Sequence, residues 1–282
     1  MPVTPAGEER GALTADELSR LSAFVYRRTG MLFEEKKRYY IDRRVAERIN
    51  VTGSRTFADY YGLLRDDEKE AQELINSFTV NETYFYREEH QLRCLSRSLL
   101  PQIVKSRGPG DHVRIWSIPC STGEEAYSIA LWLLENWAMV DVYNIEIVGS
   151  DIDTLAIEAA LEGEYGPRAL AKLPKAVLET YFEDEHDGAR MIIQDIKESV
   201  KFTQTNLIDK ASVAAQGRFD IIFCRNLLIY FDESSREAAA ANLYDSLLPG
   251  GFLCLGHTES MSRISSRFAT RRFEDAIVYE RA

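Results

Sequence analysis

The sequence has no apolar run long enough to cross a bilayer, no C-x-x-C pair, no glycine-rich phosphate loop and no excess of basic charge. The first absence excludes a transmembrane helix, and the N-terminal MPVTPAGEERGALTADEL has no apolar signal core, so a cytoplasmic location is expected. The four cysteines, Cys94, Cys120, Cys224 and Cys254, lie far apart; they are predicted to be buried reduced thiols, and no metal is expected. With 34 Lys+Arg against 45 Asp+Glu the net charge is -11, which disfavours nucleic acid and anionic membrane surfaces as partners. Any basic docking surface must therefore be local. What remains is ordinary globular composition, 45% hydrophobic and 28% charged, in a chain of 282 residues.

Residues 1–12, rich in Pro, Gly and charge, predict a flexible tail. Thr14 and Glu17 form a T-x-x-E capping box, followed at helical spacing by Leu18, Leu21, Phe24 and Val25 as far as Gly30. A second helix from about Glu34 to Ile49 presents Ile41, Val45 and Ile49, and two more follow Thr56 and Asp67. Residues 13–78 are thus expected to form a helical N-terminal domain. The segment 79–89, TVNETYFYREE, breaks the helical period and is expected to be a connector that contributes to a site. A helix from about His90 to Ser106 follows it.

From Val113 the pattern alternates. VRIWSI, IEIVGSDID, FTQTNL, FDIIFCRN and GGFLCLGH are strand-like, with helical stretches between them, and RFATRRFEDAIVYERA predicts an antiparallel edge hairpin. This is the grammar of an α/β doubly wound sheet over residues 90–282. The alternation is interrupted over about 163–201, where MIIQDI and VKF suggest a small inserted β subdomain.

In such a sheet ligands bind beyond the carboxyl ends of the strands. The first strand runs into PCSTGEEAYS, a strand-to-helix turn with one glycine, Gly123, and two acids, Glu124 and Glu125, where a phosphate would otherwise sit. A pyrophosphate is repelled there; a ligand carrying ammonium and sulfonium charges is favoured, so hydride transfer by a nicotinamide ranks below methyl transfer. Asp151 at the second strand end suits a ribose diol, and Asn206, Arg225, Asn226 and Tyr230 follow later strands. Taken singly, each also fits a helix cap, a turn former or a core residue.

NETYFYRE (81–88), STGEEAYSIA (121–130), SDIDTLAIEAA (150–160), TNL (205–207), FDIIFCRNLLIYF (219–231) and GGFLCLGHTES (250–260) together resemble the CheR-type methyltransferases that modify chemoreceptor glutamates. The resemblance implies an S-adenosylmethionine methyltransferase fold preceded by a small all-α domain. It further implies methyl transfer from S-adenosyl-L-methionine to glutamate carboxylates on the cytoplasmic methylation helices of chemoreceptors, leaving S-adenosylhomocysteine. By similarity, Asn81, Thr83, Arg87, Glu125, Asp151, Asn206, Leu207, Arg225 and Asn226 match cofactor-contacting positions, and Arg87 and Tyr230 lie closest to the transferred methyl. A noncatalytic cofactor-binding scaffold is the alternative.

A glutamate acceptor is already ionised, with an unperturbed pKa of about 4.3, so no general base is required. Arg87 and Tyr230 are expected to position it. On the second helix Lys36, Lys37, Arg43, Arg44 and Arg48 span an arc of roughly 140°, a candidate face for docking acidic receptor helices. In some family members the β subdomain holds a receptor C-terminal pentapeptide through a Gly-x-Gly loop. The corresponding EDEHDGAR is acidic with only Gly188, which speaks against pentapeptide tethering.

Overall fold

The side chain of Thr14 accepts the amide N–H of Glu17, and the Glu17 carboxylate accepts the Thr14 N–H at 2.8 Å. This reciprocal cap opens α1 (Ala15–Thr29), which ends where Gly30 takes φ 70 and its N–H reaches the Tyr26 carbonyl. The computed structural model describes residues 12–32 and 38–282, so the predicted tail lies outside the described residues except for its last position. Helices α2 (Arg38–Thr52), α3 (Phe57–Asp66) and α4 (Glu68–Phe78) complete a unit that ends at Thr79. Apolar residues spaced three and four apart, such as Leu21, Phe24 and Val25 of α1 and Ile41, Val45 and Ile49 of α2, meet Tyr60, Leu64, Leu74 and Phe78 in its core.

One polar cluster sits in that unit. Glu70 of α4 is buried, and its carboxylate accepts the Tyr60 hydroxyl at 2.8 Å and two donors of Arg48, at 3.0 and 2.5 Å.

The second unit, Val80–Ala282, holds a seven-stranded sheet. Its strands are β1 (His112–Ser117), β2 (Asn144–Asp151), β5 (Val200–Gln204), β6 (Phe219–Cys224), β7 (Leu247–Leu255), β8 (Phe268–Arg272) and β9 (Ile277–Arg281); β3 (Glu164–Tyr165) and β4 (Arg190–Met191) lie apart. The order is β5-β2-β1-β6-β7-β9-β8, parallel from β5 through β7, with the terminal β8–β9 hairpin antiparallel at the edge. Strand β6 is fully buried along its length, as a central parallel strand covered on both faces must be. The chain leaves β1 toward β2 on one side and returns to β6 on the other, so a crevice opens at the carboxyl ends of β1 and β6. No helix among the described residues is long and apolar enough to cross a membrane.

The insert differs in detail from its sequence pattern. Its β part is the β3–β4 pair extended by a hairpin from Phe182 to Ile192 that turns at Asp187 (φ 50) and Gly188 (φ 82). MIIQDI is not one strand: its second half lies in the helix Gln194–Glu198, where only Ile196 is buried and an alternating face would have nothing to pair with. VKF belongs to β5 of the main sheet, in register with Ile147 to Gly149 of β2.

Candidate active site

The acidic turn after β1 has its backbone amides already engaged. Ile118 N–H donates to the Phe223 carbonyl, Cys120 N–H to Ser150, and Gly123 N–H to Cys120, at 2.8 to 3.0 Å, while Ser121 N–H donates to the Asp151 carboxylate at 2.8 Å. These are the groups that would cradle a phosphate, and they point into the protein. Gly123 serves another purpose: it has φ 96, and a Cβ there would stand 2.9 Å from Ala160 Cβ and 3.0 Å from the Tyr165 hydroxyl. The helix Glu124–Asn136 starts at this point, and the glycine lets the helix Thr154–Glu162 pack against its origin.

The two acids of the turn have different environments. Glu124 is buried and accepts the Thr122 hydroxyl at 2.7 Å, and burial pushes its pKa up. Glu125 lines the crevice; its oxygens accept the Ser117 hydroxyl at 2.8 Å and the Arg225 guanidinium at 2.7 Å. Arg225, just past β6, has a side chain only 4% exposed; it forms an ion pair with Glu88 at 3.1 Å and donates to the Arg87 carbonyl at 2.9 Å.

Aromatic packing fixes the connector. Phe85 meets Tyr165 and Phe182 edge-on, with ring centroids 4.8 and 5.4 Å apart, and the Tyr86 N–H donates to Ser128 at 3.0 Å. Thr83, Tyr84 and Arg87 are thereby left on the crevice wall. The Asn81 side chain donates to Asp153 at 2.8 Å and accepts the Ser121 hydroxyl at 2.9 Å, tying the connector to the acidic turn. Arg87 donates to the Glu82 carbonyl and lies 5.8 Å from the Tyr84 ring centroid.

Of the predicted site residues, Thr83, Arg87, Glu125, Arg225 and Asn226 share the walls of this crevice. Asp151 lies one hydrogen bond behind Ser121; it is 4% exposed, and burial raises its pKa to about 6 even though backbone amides hydrogen-bond to it. Asn206 donates its N–H to Ser212, Leu207 is buried with its carbonyl accepting from Asn242, and Tyr230 closes the single turn Leu228–Tyr230 after Asn226. None of these last four is a wall residue of the crevice among the described residues.

Glu88 and Glu259, in the NETYFYRE and GGFLCLGHTES motifs, also shape the site. Glu259 accepts the amides of Asn226, Leu228 and Gly256 at 2.7 to 2.9 Å and holds the Asn226 backbone at φ 60. Five described non-glycine residues have positive φ; of these Ser121 and Asn226 line the crevice, and Tyr86 and Glu88 flank the wall residue Arg87. Strained backbone concentrated in this way marks a site whose surroundings hold it in place.

The donor set fits S-adenosylmethionine. The committed amides leave no cradle for a pyrophosphate, Glu125 adds a carboxylate to the wall, and the buried Asp151 would be relieved by the hydroxyls of a ribose.

The predicted docking face divides. Lys36 and Lys37 lie outside the described residues. Arg43 is 65% and Arg44 37% exposed, both beside Glu47, and Arg44 stands over the Tyr40 ring. Arg48 departs from the prediction: it is 17% exposed and turned inward, because the buried Glu70 requires a cation.

Comparison with known proteins follows the same division. Residues 81–277 match the family model described as CheR methyltransferase, SAM binding domain, and residues 16–79 the one described as CheR methyltransferase, all-alpha domain. The chain is 47% identical over 269 residues to Chemotaxis protein methyltransferase 2 of Vibrio cholerae, covering 95% of this chain and 93% of that one. It is 34% identical to the Chemotaxis protein methyltransferase of Borreliella burgdorferi, over 88% of this chain and 89% of that one. It is likewise 34% identical to the Escherichia coli protein of that name, over 93% and 91%.

Proposed function

The chain belongs to the CheR methyltransferase family, and from that premise we propose that it forms methyl esters on glutamate side chains of chemoreceptor cytoplasmic helices. It is an S-adenosylmethionine-dependent methyltransferase of chemotaxis. The glutamate acceptor rests on one observation: Arg87 shares the crevice with Glu125, so a cation stands ready for an anionic acceptor on a wall that also favours a cationic cofactor.

When bound, S-adenosylmethionine supplies a methyl group activated by its sulfonium. Thr83, Glu125, Arg225 and Asn226 would hold it at the crevice, with Asp151, Asn206 and Leu207 toward its nucleoside end. Arg87 orients the incoming carboxylate by charge-assisted hydrogen bonds, and Tyr230 positions it from the turn after β6. The carboxylate needs no base at neutral pH, only alignment and partial drying. Val80, Leu92 and Pro119 supply apolar wall for the drying. With Arg48 turned inward, Arg43 and Arg44 are what remains, among the described residues, of the face proposed to attract the acidic receptor helix.

The test is transfer of labelled methyl to a receptor cytoplasmic fragment, followed by mild base. Release of the label as methanol is the expected result for a carboxyl ester. Label that survives base would place the methyl on nitrogen or sulfur and overturn the proposal.

A further inference from the structure

Arg225 is held by two carboxylates where one would neutralise it. Glu125 takes one edge of the guanidinium at 2.7 Å and Glu88 the other at 3.1 Å; the three side chains are 4%, 14% and 12% exposed for Arg225, Glu125 and Glu88. A buried cation needs one counterion and satisfied donors. Counted over these three side chains alone, the second carboxylate leaves a net charge of minus one beside the cofactor crevice.

Glu88 is held in that place. Its backbone takes φ 55, a conformation a glutamate adopts at a cost. Its second oxygen accepts the His257 ring nitrogen at 2.6 Å, and Gln91 donates to the oxygen that faces Arg225 at 2.7 Å. Burial pushes its pKa up, but Arg225 and His257 outweigh burial and hold it below the ordinary range, so it is ionised at neutral pH.

We propose that Glu88 is a charge-setting residue for the cofactor: it shares Arg225 with Glu125 so that Glu125 keeps negative charge for the sulfonium, favouring S-adenosylmethionine relative to its neutral thioether product. The proposal rests on the cofactor and not on which side chain receives the methyl. Glu88 acts through Arg225 and Glu125, and it is not among the residues lining the crevice. S-adenosylhomocysteine lacks the transferred methyl and with it one positive charge, so the ligand pair isolates the electrostatic contribution from any loss of shape.

The experiment is titration calorimetry of the full chain, wild type and Glu88→Gln, with S-adenosylmethionine and with S-adenosylhomocysteine. It is run at pH 8.5. A charge about 10 Å away at an effective dielectric of about 20 corresponds to roughly tenfold in affinity. The expected result is that S-adenosylmethionine binds roughly tenfold more weakly to Glu88→Gln while the product changes less than about twofold. Glu88→Asp, which keeps the charge, is expected to retain the wild-type ratio between the two ligands. Equal weakening of both ligands, or no weakening of either, overturns the proposal. So does a Glu88→Gln chain that no longer folds, because Glu88 would then hold the structure and not the charge of the crevice.

Discussion

Asp151 and Ser121 are joined by a 2.8 Å hydrogen bond from the Ser121 amide, which directs the amide of the acidic turn away from the crevice and toward a buried carboxylate. Burial raises that carboxyl to about 6 from an ordinary 3.8. For stability the sign is that of a raised acid: the folded chain binds more protons than the unfolded one between the two values, so this group alone makes folding more favourable as pH falls from 7 toward 4. Binding runs the other way if the ionised carboxylate accepts ribose hydroxyls. Affinity for S-adenosylhomocysteine is expected to fall roughly fourfold between pH 7.5 and 5.5 as Asp151 takes up its proton. Calorimetry across that range checks it, and Asp151→Asn should bind more weakly at pH 7.5 and lose the pH dependence.

Gly123 is the one glycine of the acidic turn after β1. With φ 96 and a virtual Cβ 2.9 Å from Ala160 Cβ, its absent side chain is required by packing. Gly123→Ala is expected to destabilise the protein by about 2–4 kcal/mol, from the left-handed backbone and from overpacking together. The urea unfolding midpoint measures this. An unchanged midpoint would return the glycine to a role in ligand approach.

Arg48 and Arg43 lie on the same helix yet should behave in opposite ways. Arg48 closes a pair with Glu70, whose side chain is 7% exposed and also accepts the Tyr60 hydroxyl. Arg48→Ala is therefore expected to cost about 2–3 kcal/mol of folding stability, somewhat less than a fully buried broken pair because some solvent reaches it. Arg43, 65% exposed, should change stability by less than about 1 kcal/mol on reversal to glutamate, the loss of its pair with Glu47 and the repulsion that replaces it. The same Arg43→Glu change is expected to slow methylation of an acidic receptor fragment several-fold at low salt, and to matter less at high salt. Rates that ignore both charge and salt would remove this face from the docking proposal.

The difference between these two arginines shows what the sequence could and could not convey. Periodicity placed both on one arc of α2, but an arc does not say which rim meets a buried acid from a helix 22 residues further on. The parallel strands, the Thr14–Glu17 capping box and the terminal hairpin were legible because each is specified within a few neighbouring residues. The insert was less so: its MII run satisfies a strand pattern, and only the surrounding fold shows that half of MIIQDI turns into a helix. At the site the acidic turn, the connector and the strand ends could be marked one by one. The Glu125–Arg225 pair could not, since its members stand 100 residues apart and each was expected to face the cofactor separately.

Arg87 carries the last prediction. The connector positions it from both sides, with Phe85 and Tyr86 packed inward before it and Arg225 donating to its carbonyl at 2.9 Å. Its backbone is therefore fixed while its side chain remains on the crevice wall. If that guanidinium orients the acceptor carboxylate, Arg87→Ala should lower turnover at saturating cofactor by about 100-fold, near 2.7 kcal/mol of barrier. Product affinity should change far less, because the group acts chiefly on the acceptor. Arg87→Lys should recover only part of the rate, since an ammonium cannot offer the paired, coplanar donors that fix a carboxylate plane. Tyr230→Phe, which keeps the ring and deletes the hydroxyl, is expected to lose about tenfold, consistent with one positioning hydrogen bond. Steady-state rates on a receptor fragment, with S-adenosylhomocysteine binding measured in parallel, separate the two effects. Wild-type turnover in both Arg87→Ala and Tyr230→Phe would mean that neither residue positions the acceptor, and that the anion is held from the receptor's own side.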